Sequence, residues 1–399
     1  MLKVSLLVGT DRLVRLKSIQ PTGKHDAPPA RNNLCADSSL PLTDIRLAGE
    51  GTGDTKSSKT LICGRIADRL KYQSHSQSGL TLEVVSFDEV SQITVTTTLI
   101  TFQNTPALRA FTTVRNDGTT PIILSQVNSM VFGGMTNGCK EWWHDYIASH
   151  ATNTWFREAQ WRDHDLPSLG LDSLGVIELN QGHYGSHAAF SIQNRGNFST
   201  GGMLAMGMLR RRDDKDTWLW QIENNGSWRW EIGDFKDDIY VALSGPTSFN
   251  HDWKEMLQPG ESFTTVPCAI VHVHDGIEQA FGAMTNYRRE IRRKHADNKN
   301  LPIIFNDYMN CLMGDPTEEK VTALIKPALH CGAEYFVIDA GKALLQHIYY
   351  HPSANTSLKV GMQRSWDQTG GTVSENGSPQ HHVSHLVSRI SSNTLHPRA

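Results

Sequence analysis

The strongest constraint on how this chain can fold is a strand-type residue pattern that covers residues 1–270. Segments such as TLEVVSFDEV (residues 81–90) and SQITVTTTLITFQ (residues 91–103) alternate in polarity or are rich in β-branched residues. Turn-forming clusters such as RNDGTTP (residues 115–121) separate these runs. Many strands with few helical stretches predict a large antiparallel sandwich.

One segment, TWLWQIENNGSWRWEIGDF (residues 217–235), predicts a β-hairpin. Asn224, Asn225 and Gly226 would form its tight turn, because these residue types tolerate a positive φ. Its four tryptophans fall in pairs on one face of each strand, which predicts core packing, with stacking on sugar rings as the alternative. These residues are Trp218, Trp220, Trp228 and Trp230.

The pattern changes to a helical period after residue 275. Between Gly276 and Lys294 the apolar residues fall on one face, and Asp275 is the predicted N-cap. That face consists of Ile277, Ala280, Phe281, Met284, Tyr287 and Ile291. The polar stretch HADNKN that follows is predicted to be a linker.

A strand–helix–strand unit comes next. The segments PIIFND (residues 302–307) and YFVIDAG (residues 335–341) are apolar strands that end in polar residues. Between them, a helix is predicted with Asp315 as N-cap and Glu318 at its third position, and Pro327 is expected to kink it. Such a unit makes its two strands parallel, as in an α/β barrel or an open sheet.

Composition excludes several classes of partner. The formal net charge is −3, which provides no electrostatic reason for binding nucleic acid or a membrane surface. No apolar run approaches the roughly 20 residues that cross a bilayer. The N-terminus is a poor signal peptide, so a cytoplasmic location is expected, and secretion is the alternative that four N-x-S/T triplets would fit.

The cysteine and histidine spacings predict no metal site. The six cysteines are scattered without a C-x-x-C pair, which argues against a disulfide scaffold and against zinc. In HHVSH, His381 and His385 have i, i+4 spacing but lack a third ligand. The histidines of HVHD (residues 272–275) fit simple alternation along a strand.

Five motifs together resemble the α-galactosidases of glycoside hydrolase family 36. The most specific are FNDYMNCLMGDPTEEK (residues 305–320) and GAEYFVIDAG (residues 332–341), in that order and spacing. The others are LPLTDIRLAGEG, TNTWFREAQWRDHDLPSLGL and WQIENNGSWRWEIGD. The resemblance implies hydrolysis of terminal non-reducing α-galactosides with retention and without a cofactor.

The resemblance also implies a fold class and a domain order. The chain is expected to be mainly β, with a large antiparallel β-supersandwich in residues 1–275. A connecting helix and linker would occupy residues 276–300. The first βαβ unit of an incomplete (β/α)8 barrel would follow in residues 301–341. A barrel takes about 250 residues, so this chain is too short to close one.

Residues 342–399 fit neither domain. They contain six histidines, nine serines and only two acidic residues, and they lack a sustained period. The family has a tryptophan where Lys342 stands, and the similarity stops there. A disordered or aberrant tail is therefore expected, produced by a frameshift, a retained intron or a mis-joined exon.

The resemblance assigns substrate contacts but no catalytic residue to this chain. Asp339 matches a family aspartate that accepts hydrogen bonds from galactose hydroxyls, and Asn306 and Asp307 are expected to line the same pocket. A retaining glycosidase needs two carboxyl groups about 5–5.5 Å apart. In the family these lie on later barrel strands, so the chain is expected to be inactive by itself.

Three functional alternatives remain open. The chain is a truncated α-galactosidase, a non-catalytic sandwich that binds carbohydrate or assembles with full-length enzyme, or a fragment of a galactosyltransferase of the raffinose-synthase type. The expected partners are α-galactoside oligosaccharides, and a homo-oligomer could form through the sandwich.

Overall fold

The computed structural model divides the chain into two compact units, Met1–Arg292 and Arg293–Ala399. It describes residues 1–22, 40–50, 61–62, 64–136, 139, 141–172, 188–235, 238–339 and 359–362.

Strands dominate the described part of the chain, and helices are few. In chain order the strands are β1 (Leu2–Val8), β2 (Val14–Pro21), β3 (Ile45–Leu47), β4 (Lys71–Ser78), β5 (Thr81–Asp88), β6 (Ile93–Thr101), β7 (Ala107–Asn116), β8 (Ile122–Gly133), β9 (Tyr146–Thr154), β10 (Arg157–Asp165), β11 (Ala189–Asn194), β12 (Gly202–Met203), β13 (Met206–Arg211), β14 (Thr217–Ile222), β15 (Trp228–Phe235), β16 (Asp238–Ser244), β17 (Glu255–Leu257), β18 (Ser262–Thr264), β19 (Cys268–Val273), β20 (Ile304–Asn306), β21 (Tyr335–Ile338) and β22 (Lys359–Met362). The α-helices are α1 (Trp142–Asp145), α2 (Ser248–His251), α3 (Gly276–Ile291), α4 (Asp297–Asn300) and α5 (Glu318–His330).

Two large antiparallel sheets form the body of the first unit. An eleven-stranded sheet has the order β10-β9-β13-β14-β19-β7-β6-β5-β4, with β12 beside β9 and β18 beside β7. A six-stranded sheet has the order β11-β15-β16-β8-β17, with β3 beside β8. The large antiparallel sandwich that the strand pattern predicts is therefore confirmed.

The predicted hairpin at residues 217–235 is wrong. Strand β14 pairs with β13 and β19 in the eleven-stranded sheet, whereas β15 pairs with β11 and β16 in the six-stranded sheet. The segment Asn224–Gly226 therefore crosses between sheets, and none of its residues has a positive φ. The aromatic rings instead meet across the sandwich, where Trp220 packs edge-to-face on Trp230 at 5.3 Å.

Helix α3 covers the outer face of the eleven-stranded sheet. Its apolar face packs against β14 and β19 residues such as Leu219 and Val271. The helix begins after Asp275, as predicted. The hydroxyl of Thr105 also donates to the carbonyl of Ala283 at 3.1 Å. The helix therefore belongs to the first unit, although the sequence analysis grouped it with the linker.

The second unit contains the predicted strand–helix–strand arrangement. Strands β20 and β21 are parallel, with Ile304 opposite Tyr335. The connecting helix α5 buries Val321, Ile325 and Ala328 against a small core that includes Phe336.

Two details of the second unit differ from the sequence analysis. Helix α5 is capped by Thr317 rather than Asp315, because the Thr317 hydroxyl accepts a hydrogen bond from the Lys320 N–H at 3.3 Å. A third parallel strand, β22, pairs with β21. It lies inside residues 342–399, where the pattern predicts no strand. The remainder of that segment is outside the described residues.

Replacement of Gly207 by alanine tests how tightly the sandwich is packed. The indole of Trp220 lies over Gly207, so that a Cβ there would come within 2.5 Å of the ring. We expect Gly207→Ala to lower the free energy of unfolding by about 1–3 kcal/mol in urea denaturation. As the control, Gly282→Ala in helix α3 meets no atom within 4 Å and should stabilise by up to about 1 kcal/mol. Equal effects at the two positions would contradict this packing.

Candidate functional site

Polar side chains gather where the parallel strands of the second unit end. Strand β20 ends at Asn306 and is followed by Asp307, and strand β21 is followed directly by Asp339. Because the strands are parallel and in register, their carboxyl ends share one edge of the sheet. The structure thus brings all three predicted substrate-contact residues together.

Hydrogen bonds connect these three residues into one set. The Asn306 Nδ2 donates to Asp339 Oδ2 at 2.8 Å, and the Asp339 N–H donates to Asp307 Oδ1 at 2.9 Å. The Asn306 Oδ1 accepts from the Tyr308 N–H at 2.8 Å, which leaves its amide nitrogen turned toward Asp339. Each side chain is therefore oriented before any ligand arrives.

Asp307 is the buried member of the set, with only 2% of its surface exposed. Its backbone N–H donates to the Val337 carbonyl at 3.2 Å, which fixes its place in the sheet. Its Oδ2 is buried and has no hydrogen-bond partner among the described residues. Burial raises the pKa of this carboxyl above its ordinary value. The hydrogen bond from the Asp339 N–H opposes that rise, and the charge of the Asp339 carboxylate adds to it.

This arrangement suits a ligand that is rich in hydroxyl groups. Asn306 is exposed and Asp339 is half-buried, so both can be reached from the strand-end edge. Carboxylate oxygens accept strong charge-assisted hydrogen bonds from hydroxyls, and an amide can donate and accept. The set therefore offers recognition groups for a sugar.

A second buried carboxylate, Glu231, belongs to a closed structural network in the first unit. Its Oε1 accepts from the Leu61 N–H at 2.7 Å and from the Tyr240 hydroxyl at 2.6 Å. Its Oε2 accepts from Arg229 Nη2 at 2.5 Å. Burial raises the pKa of Glu231, while Arg229 opposes that rise. Both oxygens are engaged by protein donors, so we assign it to stability rather than to ligand binding.

A cluster of Asp216, His272 and His274 is the group of described residues that could hold a metal ion. His272 was considered at the sequence level only as part of HVHD. Asp216 was missed because it lies 56 residues earlier in the chain. Only the pairing of β14 with β19 brings it near the histidines. The sequence signal that could have indicated this cluster is a carboxylate just before one strand together with an H-x-H pattern at the end of another strand.

The four tryptophans of residues 217–235 are core residues, as predicted. Their exposed fractions lie between 0% and 3%, so stacking on a sugar is excluded for them in this fold. His381 and His385 lie outside the described residues. In the described part of the chain, no helix is both long and apolar enough to cross a membrane.

The fold and its strand-end site define a class of protein in which a large antiparallel sandwich precedes a parallel β–α–β unit. Among solved structures, this architecture is that of glycoside hydrolase family 36 α-galactosidases, and the resemblance seen in the motifs is confirmed at the level of the fold. Neither a protein-family model nor a curated protein matches the chain by sequence.

Three solved structures illustrate the similarity. An α-galactosidase AgaA variant from Geobacillus stearothermophilus, in complex with raffinose, has 16% identity and a TM-score of 0.63, over 85% of this chain and 49% of its own. Another AgaA variant, in complex with stachyose, has 16% identity and a TM-score of 0.62, over 85% and 48%. The Lactobacillus brevis α-galactosidase has 14% identity and a TM-score of 0.56, over 85% and 47%. The chain thus spans about half the length of these structures.

The pH dependence of the β20–β21 sheet tests the burial of Asp307. A raised folded pKa means that the folded state holds a proton that the unfolded state has released. Stability is therefore greatest below the ordinary pKa and falls as the pH rises through the folded pKa. We expect hydrogen-exchange protection of β21, corrected for intrinsic rates, to fall as the pH rises above about 4, the ordinary pKa of an aspartate.

The variant Asp307→Asn should remove this loss of protection. An amide keeps an acceptor for the Asp339 N–H and carries no charge to bury. The control is Asp297→Asn, which changes an exposed carboxylate outside the sheet and should leave the pH dependence as it is in the parent chain. The same loss in the Asp307→Asn variant would contradict the assignment.

Proposed function

We propose that the second unit of this chain forms the galactose-binding start of an α-galactosidase-type (β/α)8 barrel. The observation that supports this proposal is the hydrogen-bonded set of Asn306, Asp307 and Asp339 at adjacent parallel strand ends. This set occurs in a chain whose fold resembles solved α-galactosidases, two of which were solved with raffinose and stachyose. The carboxyl ends of barrel strands are where barrel enzymes bind substrate.

Each residue would have a distinct role toward the terminal sugar of an α-galactoside. Asp339 would accept hydrogen bonds from ring hydroxyls, and the Asn306 amide would hold its carboxylate in place. The Asp307 Oδ2, which lacks a partner among the described residues, would gain one from a further hydroxyl. Supplying that partner removes the cost of a buried unpaired oxygen, so it would favour the bound state.

Hydrolysis with retention needs a nucleophile and an acid/base in addition to these contacts. The two carboxyl groups must stand about 5–5.5 Å apart on opposite sides of the scissile bond. Within the described residues, Asp307 and Asp339 are the carboxylates at the strand ends of this sheet. The Asp339 backbone N–H binds Asp307, and the Asn306 amide binds Asp339. We assign both aspartates to binding, so the proposal is that this chain binds galactosides without turning them over.

A galactose-binding measurement tests the proposed site. Galactose titrated into the full chain and followed by ligand-observed NMR should show saturable binding, and glucose should bind more weakly. Asp339→Asn replaces a charged acceptor by a neutral amide and should weaken galactose binding about 10–100-fold. The control Asp297→Asn leaves the strand ends intact and should bind as the parent chain does. Unchanged affinity in the Asp339→Asn variant would exclude the site.

A turnover assay tests the absence of catalysis separately. The purified chain should release no chromophore from a nitrophenyl α-galactoside above the rate without enzyme, because both strand-end aspartates are assigned to binding and neither to catalysis. Turnover that a galactose-analogue inhibitor abolishes would show that the chain contains a complete catalytic pair.

A further inference from the structure

The Asp216, His272 and His274 cluster lies in the first unit, at the end of two paired strands. Asp216 immediately precedes β14, and His274 immediately follows β19. Because Thr217 pairs with Val273, the ends of these strands place the three side chains side by side. One nitrogen or oxygen atom from each residue lies within 4.8 Å of the other two. Asp216 and His272 are at least 96% buried.

The hydrogen bonds of the two histidines determine which ring nitrogen faces the cluster. The Nδ1 of His272 lies 3.0 Å from the Ile19 carbonyl, and the Nδ1 of His274 lies 3.1 Å from the Lys215 carbonyl. A carbonyl only accepts, so each Nδ1 carries the proton. In the neutral rings both Nε2 atoms therefore have a free lone pair, which is the tautomer and the outer contact typical of metal-bound histidine.

Among the described residues, the contacts within this cluster leave one buried acceptor, His274 Nε2, without a partner. The His272 Nε2 lies 2.6 Å from Asp216 Oδ1, a contact that needs either a proton or a metal ion between the two atoms. A proton would satisfy that pair but would leave His274 Nε2, which is buried and has no hydrogen-bond partner among the described residues. Leaving such an atom unpaired is costly, and a single divalent cation would serve all three atoms at once.

We propose that His272 Nε2, His274 Nε2 and Asp216 Oδ1 bind a divalent transition metal, and that this metal is zinc. Two imidazoles and one carboxylate form a ligand set that zinc accepts, with ligand distances of about 2.0–2.2 Å. In tetrahedral geometry such distances separate neighbouring ligand atoms by roughly 3.4 Å. The His272–Asp216 contact would therefore open by less than 1 Å. The sequence-based expectation of no metal is revised by this placement.

The surroundings of the cluster support and complete the site. The Tyr146 hydroxyl donates to Asp216 Oδ2 at 2.7 Å, which orients the carboxylate toward the histidines. The indole of Trp218 stacks on the His272 ring at 3.6 Å and holds its plane. A cleft that Thr22 and Gln279 also line reaches His274, the half-buried member of the cluster.

A metal here would act as a structural clamp. Asp216 leads into β14, His272 lies on β19, and the outer contacts reach β9 through Tyr146 and β2 through Ile19. Binding to the folded state alone stabilises it in proportion to the logarithm of metal concentration. The proposal is independent of galactose binding, because all of its residues lie in the first unit.

The full chain, freed of metal with a chelator, tests this proposal by titration with Co²⁺. We expect one equivalent to bind with visible absorption bands, and Zn²⁺ to displace it. His274→Gln and Asp216→Asn each remove a ligand and should weaken binding at least about 100-fold, since even outer contacts cost 10–100-fold. Circular dichroism of each variant checks its fold. Binding that stays unchanged in both folded variants, or no binding in the parent chain, overturns the proposal.

Two further measurements separate this site from the other histidines. The double variant His381→Gln/His385→Gln should retain the one-equivalent site, and loss of binding there would place the metal elsewhere. Tyr146→Phe keeps all three ligands and should weaken binding about 10–100-fold. If His274→Gln does not fold, the parent chain can be treated with diethylpyrocarbonate and its peptides measured by mass spectrometry. Zinc should then protect His274 from modification. Equal modification with and without zinc overturns the proposal.

Discussion

Burial of aromatic side chains between the two large sheets is the constraint on which the rest of the structure depends. Trp220 of one sheet and Trp230 of the other meet edge-to-face, and both are at most 1% exposed. Each large apolar side chain buried in this way contributes about 1.5–3 kcal/mol to the stability of the folded state. The ring of Trp220 needs the bare backbone of Gly207 beneath it, so the register of β13 and β14 is tied to that packing. Strands β14 and β19, which carry the Asp216 and His272 cluster, are held by this core.

Buried polar groups fall into two kinds in this protein. Glu231 has a protein donor on each oxygen and links Arg229, Tyr240 and the backbone at Leu61. Asp307 and His274 each keep a buried atom without a partner among the described residues, as do the core indoles of Trp220 and Trp230. Such an atom becomes a candidate binding group where other polar groups lie beside it, as they do at Asp307 and at His274. The Asp307 atom lies at a parallel strand edge, where we propose a sugar. The His274 atom lies beside one nitrogen atom of His272 and one oxygen atom of Asp216, where we propose a metal.

The local residue pattern was sufficient to predict those structural features that depend on near neighbours in the chain. The apolar face of helix α3 and its start after Asp275 follow from a helical period alone. The parallel pairing of β20 and β21 follows from two apolar strands joined by a helix, and it brings Asn306, Asp307 and Asp339 to one edge. The cap of helix α5 was displaced by two residues, because Thr317 competes with Asp315 for the same role. The short strand β22 was missed because four residues are too few to show a period.

The sequence by itself determined the class of each segment: strands to residue 270, then a helix, then a β–α–β unit with polar strand ends. Residue spacing indicates these properties, because side chains that face a core recur every 2 residues in a strand and every 3.6 residues in a helix. Only the tertiary structure decided which strands are partners. It separated β14 from β15 into different sheets, and it brought Asp216 to His272 across 56 residues. Strand pairing is a long-range choice made by packing of whole sheets, and spacing along the chain carries no record of it.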